Sequence, residues 1–104
     1  MNRMYNPPHP GEVLKDTVLA KGSGLTVTAF AKQLKVSRQM ISMIANCRAS
    51  VTADMALRLA KALGGSAESW LRMQEAYDLW HARKKPQPKI KPIAFAEPFK
   101  RAAY

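Results

Sequence analysis

The chain has 104 residues, of which 47% are hydrophobic and only 8% aromatic. This length and composition fit one small domain with a mainly aliphatic core. The single cysteine, Cys47, excludes an internal disulfide and fits a reducing compartment. We find no signal peptide and no apolar run long enough to span a membrane, so we expect a cytoplasmic protein.

The formal net charge of +10 indicates an anionic partner, and nucleic acid is the commonest one. Most of this charge lies in residues 83–104, which hold seven basic residues and one acidic residue. The stretch between Asp16 and Asp54 is more informative, because it contains five basic residues and no acidic one. Such a stretch suits a surface that faces phosphates, although a solvated charged face explains it equally well.

Hydrophobic periodicity and capping residues predict five helices and no strand within a domain at residues 9–82. Residues 1–8 precede the domain as a loose arm. The first helix begins at Pro10, which suits the first helical position, and ends at residues 22–24. Each of the other four helices begins after a typical N-cap residue: Thr26, Ser37, Thr52 and Ser66.

Residues 83–104 form a basic tail in which four prolines forbid a regular helix. This tail is either disordered or holds one short edge strand over residues 90–96. Two roles stay open for the tail: contact with DNA phosphates, or an edge strand in an interface with another chain.

The second and third predicted helices are each about two turns long. Only Lys35 and Val36 lie between the end of the second helix and Ser37, the N-cap of the third. Two short helices joined in this way are typical of the helix-turn-helix unit, whose second helix enters the major groove of DNA. The helix after Ser37 has an apolar side at helical spacing, which holds it against the core: Ile41, Ile44 and Ala45.

The opposite side of this helix carries groups that bond to base edges. We expect Arg38 to bond guanine and Gln39 to bond adenine, each through two hydrogen bonds. Ser42 lies one turn further on and reaches a base or a phosphate, and the free N–H groups after Ser37 suit a phosphate. Two more outward positions, and three flanking cations that contact the DNA backbone, complete the predicted interface: Met43, Asn46, Lys32, Lys35 and Arg48.

Four segments of the domain carry a family resemblance. Their sequences are HPGEVL at 9–14, VSRQMIS at 36–42, ALRLAKALG at 56–64, and WLRMQ at 70–74 with YDL shortly after it. In this order they resemble the HigA antitoxins, a branch of the Xre/Cro-like helix-turn-helix proteins. The resemblance implies an all-α, five-helix, lambda-repressor-like domain.

The resemblance also implies a bacterial type II toxin–antitoxin system. An antitoxin of this family binds a HigB toxin, a RelE-like nuclease that cleaves mRNA on the ribosome, and as a homodimer represses their shared operon. The implied partners are therefore double-stranded operator DNA, a HigB-like toxin and a second copy of the chain. Two alternatives stay open: a stand-alone Xre-type regulator without a toxin, and a non-specific nucleic-acid-binding protein that acts through its basic tail.

Two positions depart from the family pattern. Relatives often have Asn-Gly after the recognition helix, where this chain has Asn46 and Cys47. Either Asn46 then takes the left-handed backbone that glycine usually takes, or the turn differs. Many relatives have Arg where this chain has Met43, and the change removes a DNA contact.

We expect neither an enzyme nor a bound cofactor or metal. Cys47 with His9 or His81 lacks an orienting third group and an oxyanion site, and these three residues are too few for a metal cluster. The last helix carries an aromatic stripe that suits packing better than a cofactor pocket and leaves part of the helix to pair two subunits: Trp70, Met73, Tyr77 and Trp80.

Overall fold

The computed structural model describes residues 6–94, and within that range the chain forms five α-helices and no strand. The all-α, five-helix prediction is therefore confirmed. The helices are α1 (Pro10–Asp16), α2 (Val27–Leu34), α3 (Arg38–Ala45), α4 (Ala53–Leu63) and α5 (Ala67–Lys84). No helix in this part of the chain is long and apolar enough to cross a membrane.

Helices α2 to α5 all begin at the predicted N-cap residues. In each case the side-chain hydroxyl accepts a hydrogen bond from the backbone N–H three residues later, at 3.0–3.2 Å: Thr26, Ser37, Thr52 and Ser66. Each bond satisfies one of the N–H groups that a helix start leaves without an intrahelical partner. The glycine pair after α4 ends that helix, as predicted.

Helix α1 is shorter than predicted, because it ends at Asp16 rather than at residues 22–24. The hydroxyl of Thr17 donates a hydrogen bond to a carbonyl of the preceding turn, and the N–H of Leu19 donates to the Leu14 carbonyl at 2.8 Å. These bonds offer the backbone an alternative to the next helical turn. The glycines therefore lie in the loop after α1 and do not end the helix.

The core receives at least one buried side chain from each helix: Leu14, Phe30, Ile41, Ile44, Leu59 and Trp70. Burying one such aliphatic or aromatic side chain stabilises the fold by about 1.5–3 kcal/mol. The predicted inward side of α3 is confirmed, since both of its isoleucines are fully buried. Of the predicted stripe on α5, Trp70 is buried and the other three members are half-buried.

The start of α1 packs directly on α3. The imidazole of His9 is buried, and its Nδ1 accepts a hydrogen bond from the N–H of Gly11 at 2.8 Å. Burial lowers the pKa of His9, which favours the neutral ring that can accept this bond. Tyr77 of α5 contacts the same ring edge to face at 4.8 Å between centroids. A Cβ atom at Gly11 would overlap the carbonyl oxygen of Ile44, so this approach requires glycine.

Residues 86–94 follow α5 without helix or strand. The predicted edge strand over residues 90–96 is therefore not formed at 90–94, and its remaining residues lie outside the described range, as do residues 1–5 of the predicted arm. Helix α5 continues to Lys84, beyond the predicted domain boundary at residue 82. Ile90 and Ile93 are 81% and 72% exposed.

We predict that Gly11→Ala lowers the free energy of unfolding by about 2–3 kcal/mol, because the added methyl group forces α1 away from the Ile44 carbonyl. At an ordinary helical position a change from glycine to alanine raises stability by about 0.5–1 kcal/mol. The sign of the change in stability therefore distinguishes a close approach at Gly11 from an ordinary helical position. Urea unfolding measures the effect, with Ala62→Gly on the exposed side of α4 as the control for helix propensity. A Gly11→Ala variant more stable than the parent protein would contradict the close approach.

Candidate nucleic-acid interface

The connection between α2 and α3 is a tight turn made by a left-handed residue. Lys35 has φ +60°, and the N–H groups of Lys35 and Val36 donate to carbonyls in the last turn of α2 at 3.1 and 3.0 Å. This pattern is the Schellman motif, which reverses the chain at a helix end. Ser37 then caps α3 at once, and α2 and α3 form the predicted helix-turn-helix unit.

The predicted reading face lies on the solvent side of α3. Arg38 and Gln39 are exposed in its first turn, and Ser42 is half-buried one turn further along. Met43 is 37% exposed. The buried isoleucines on the other side hold the helix in place, so the face that carries these groups has a fixed direction. The structure thus gathers the predicted groups on one helix, and their contacts with DNA stay a prediction.

The side-chain amide of Asn46 makes two hydrogen bonds within the domain that the sequence does not indicate. Its amide nitrogen donates to the Ser42 carbonyl at 2.9 Å, and its amide oxygen accepts from Nζ of Lys15 at 3.3 Å. One N–H of the amide and one lone pair of its oxygen are therefore engaged, and Asn46 secures the end of α3. Lys15 of α1 adds a cation to this end of the face. The sequence does not indicate this contact, because Lys15 and Asn46 lie 31 positions apart.

Helix α3 ends in a second left-handed residue. Asn46 has φ −97° and Cys47 has φ +61°, so the first of the two alternatives is excluded and Cys47 itself is the left-handed residue. The N–H of Cys47 donates to the Ile44 carbonyl at 3.0 Å, and that of Arg48 to the Met43 carbonyl at 2.7 Å. These two bonds form the same motif as at Lys35, and here cysteine takes a conformation that costs a side chain about 1–2 kcal/mol.

Cations surround the reading face. Lys32 in the last turn of α2, Lys35 in the turn and Arg48 after α3 are all exposed. No acidic residue occurs from 17 to 53, so these segments themselves carry only positive charge. Exposed cations on both sides of an exposed helix suit the phosphates on both sides of a groove.

The loop after α3 is tied to α5 by a side chain that the sequence analysis did not single out. Gln74 is 5% exposed, and its Oε1 accepts a hydrogen bond from the N–H of Val51 at 2.8 Å. Its Nε2 donates to Asp78 at 3.0 Å. A buried amide with both ends bonded fixes the loop that carries Arg48 relative to α5.

The structure accounts for the three residues that could suggest an enzymatic site: His9, His81 and Cys47. His9 caps α1, and His81 lies against Tyr77 with ring centroids 4.2 Å apart. Burial raises the pKa of the Cys47 thiol, the opposite of what a nucleophile needs. Among residues 6–94 no group of three His, Cys, Asp or Glu side chains is arranged to hold a metal ion.

These observations define a class of protein. A second helix that is buried on one side, exposes arginine and glutamine in its first turn and is surrounded by cations is typical of a helix-turn-helix DNA-binding domain. The helix-turn-helix family matches the chain over residues 19–70, which include α2, α3 and α4.

Known proteins narrow the class to a family. The chain is 48% identical over 79 residues to virulence-associated protein I of Dichelobacter nodosus, across 76% of this chain and 72% of that protein. It is 39% identical over 85 residues to antitoxin HigA-1 of Vibrio cholerae, across 82% and 79% of the two chains. The Pseudomonas aeruginosa antitoxin HigA, solved with the higBA promoter, has a TM-score of 0.68 at 33% identity, covering 75% of this chain and 84% of that chain.

The chain therefore belongs to the HigA antitoxin family of Xre-type helix-turn-helix proteins. This is a family of DNA-binding regulators and antitoxins, not a family of enzymes.

We predict that Cys47→Gly raises the free energy of unfolding by about 0.5–1 kcal/mol, because glycine takes the left-handed backbone without strain. Cys47→Ala is the matched control, since it removes the sulfur atom and keeps the strain. Thermal unfolding of the three proteins gives the comparison. A glycine variant that is less stable than the alanine variant would show that the left-handed backbone at Cys47 carries no strain.

Proposed function

We propose that this protein is an antitoxin that represses its own operon by specific binding to operator DNA, and that it neutralises a RelE-like, mRNA-cleaving HigB toxin by direct binding. The observation that carries the DNA-reading part is the exposed face of α3 on a fully buried apolar support. Membership of the HigA family supports the toxin-binding part.

In this proposal the first turn of α3 reads bases. Arg38 bonds O6 and N7 of a guanine, and Gln39 bonds N6 and N7 of an adenine, because these side chains match the two-point patterns of those base edges. Ser42 reaches a base or a phosphate. Met43 offers an apolar contact to a thymine methyl group, which replaces the polar contact that an arginine would make.

The surrounding groups position the protein on the DNA backbone. The N–H groups at the start of α3, after Ser37, face one phosphate with the positive end of the helix dipole. The flanking cations neutralise further phosphates, which gives affinity without sequence information: Lys15, Lys32, Lys35 and Arg48. Asn46 acts indirectly, through the bonds that fix the end of α3.

We also propose that the protein binds DNA as a homodimer. A single α3 reads few base pairs, and a two-fold dimer doubles the site into a palindrome with half-sites about 34 Å apart. Helix α5 has room for the contact, because Leu79 is 46% exposed and lies close to the exposed Ala76 on the same helix. An exposed leucine beside an alanine is a simple helix-pairing surface.

For DNA reading, we predict that Arg38→Ala or Gln39→Ala weakens operator binding by about 1–3 kcal/mol, and only when the contacted base pair is intact. Operators selected from random duplexes and fluorescence anisotropy at fixed salt supply the affinities. Lys89→Ala is the control, since it removes a cation far along the chain from α3.

If both α3 substitutions leave discrimination between operator and altered operator unchanged, the reading face is wrongly assigned. If instead the double change of Lys89 and Lys91 to alanine abolishes binding to every duplex alike, the protein is a non-specific binder that acts through its tail.

For toxin neutralisation, we predict that the protein restores growth to cells that express the RelE-like toxin encoded beside its own gene. The Arg38→Ala variant, expressed from an unrelated promoter, should restore growth equally well, because neutralisation by direct binding does not use the reading face. Growth arrest that persists with the parent protein, together with failure of the two chains to purify together, would contradict the antitoxin role. The protein would then be a stand-alone regulator.

A further inference from the structure

The turn between α2 and α3 has carbonyl groups that its own helices do not satisfy. The last turn of α2 leaves carbonyls without intrahelical partners. Lys35 also holds a left-handed backbone, which an L side chain adopts at a cost. The backbone bonds of the turn engage the Ala31 and Lys32 carbonyls, and they leave the last carbonyl of α2 and the one after it open to a donor from outside the unit.

That donor is Arg58 in the middle of α4. Its Nη1 donates to the carbonyl oxygen of Leu34 at 2.8 Å and lies 3.4 Å from the carbonyl oxygen of Lys35. Its Nε donates to a carboxylate oxygen of Asp54, one turn earlier on α4, at 2.9 Å. The guanidinium group therefore joins α4 to the turn, and we call these contacts the turn clamp.

The chemistry of the clamp requires arginine. A guanidinium group is planar and presents its donors in a fixed fork, so the bond from Nε to Asp54 fixes the direction in which Nη1 points. A lysine ammonium at this position has no second rigid donor. It can reach the carboxylate or the turn, but it cannot hold both in one plane.

The clamp contributes geometry more than stability. The side chains of Arg58 and Asp54 are 37% and 75% exposed, and exposed ion pairs of this kind contribute little to the free energy of unfolding. The carbonyls that Arg58 holds, in contrast, lie in the turn that leads into α3. The orientation of Lys35 and of the first turn of α3 depends on them.

We infer that Arg58 is a positioning residue for DNA recognition, and this inference rests on the proposed function. By fixing the turn, it sets the direction of Arg38 and Gln39 relative to the phosphates that the flanking cations hold. Base-edge bonds need this geometry within a fraction of an ångström, whereas attraction between cations and phosphates does not. Loss of the clamp therefore reduces discrimination between sequences and leaves non-specific affinity intact.

The test compares full-length parent protein with Arg58→Lys, which keeps the charge and removes the fork. Dissociation constants are measured for the selected operator and for a scrambled duplex of equal length, at several salt concentrations. We expect Arg58→Lys to lose about tenfold in operator affinity while scrambled-duplex affinity and the salt dependence stay as in the parent protein. Unfolding midpoints show that each protein is folded at the temperature of the assay.

Two further variants separate the effect of the turn clamp from the effects of charge and of folding. Lys61→Met removes a cation from the same cleft beside the turn without touching the turn carbonyls, so it should keep the ratio of operator to scrambled affinity. Asp54→Asn weakens the hold on Nε and keeps Arg58 itself, so we expect a smaller loss of that ratio than in Arg58→Lys.

The outcomes are distinct. A parent protein that fails to discriminate the operator from the scrambled duplex would overturn the proposed function and the inference together. If the parent protein discriminates and Arg58→Lys does so equally well, only the positioning role is overturned. If Arg58→Leu lowers the salt dependence by about one phosphate contact while Arg58→Lys behaves as the parent protein, Arg58 binds a phosphate directly and positions nothing.

Discussion

The burial of one side of α3 is the constraint on which the rest of the structure depends. An isolated helix of this length, eight residues, does not form stably in water, so its rigidity comes from Ile41 and Ile44 in the core. The elements around it are adapted to that contact. Gly11 lets α1 approach the Ile44 carbonyl, and Gln74 holds the loop that leaves α3.

This arrangement separates two tasks within one short helix. The inward side is fixed by packing, and changes there alter stability. The outward side touches little of the protein, so its groups are free to match a base sequence. Both helices of the helix-turn-helix unit end in the same backbone motif, with Lys35 after α2 and Cys47 after α3 in the left-handed conformation. The exposed side of α3 is thus held at both ends and from behind.

The sequence predicted the local features of this fold and missed the distant ones. Thr26 and the other N-cap residues act within three positions of themselves, so capping patterns find them. The end of α1 was misplaced because the N–H of Leu19 takes the Leu14 carbonyl that the next helical bond would use, a choice that the glycines downstream do not reveal. The bonds from Lys15 to Asn46 and from Arg58 to the turn join residues far apart in the chain, and no local spacing indicates them.

We propose above that α3, and not the basic tail, reads DNA. Backbone amide chemical shifts of the full-length protein, followed during titration with an operator duplex, test it residue by residue. The structure predicts the largest changes at residues 37–43 and smaller changes at the flanking cations, and it predicts that a scrambled duplex does not reproduce the changes at residues 37–43. Shifts confined to residues 84–94, with the amides of α3 unmoved, would contradict it.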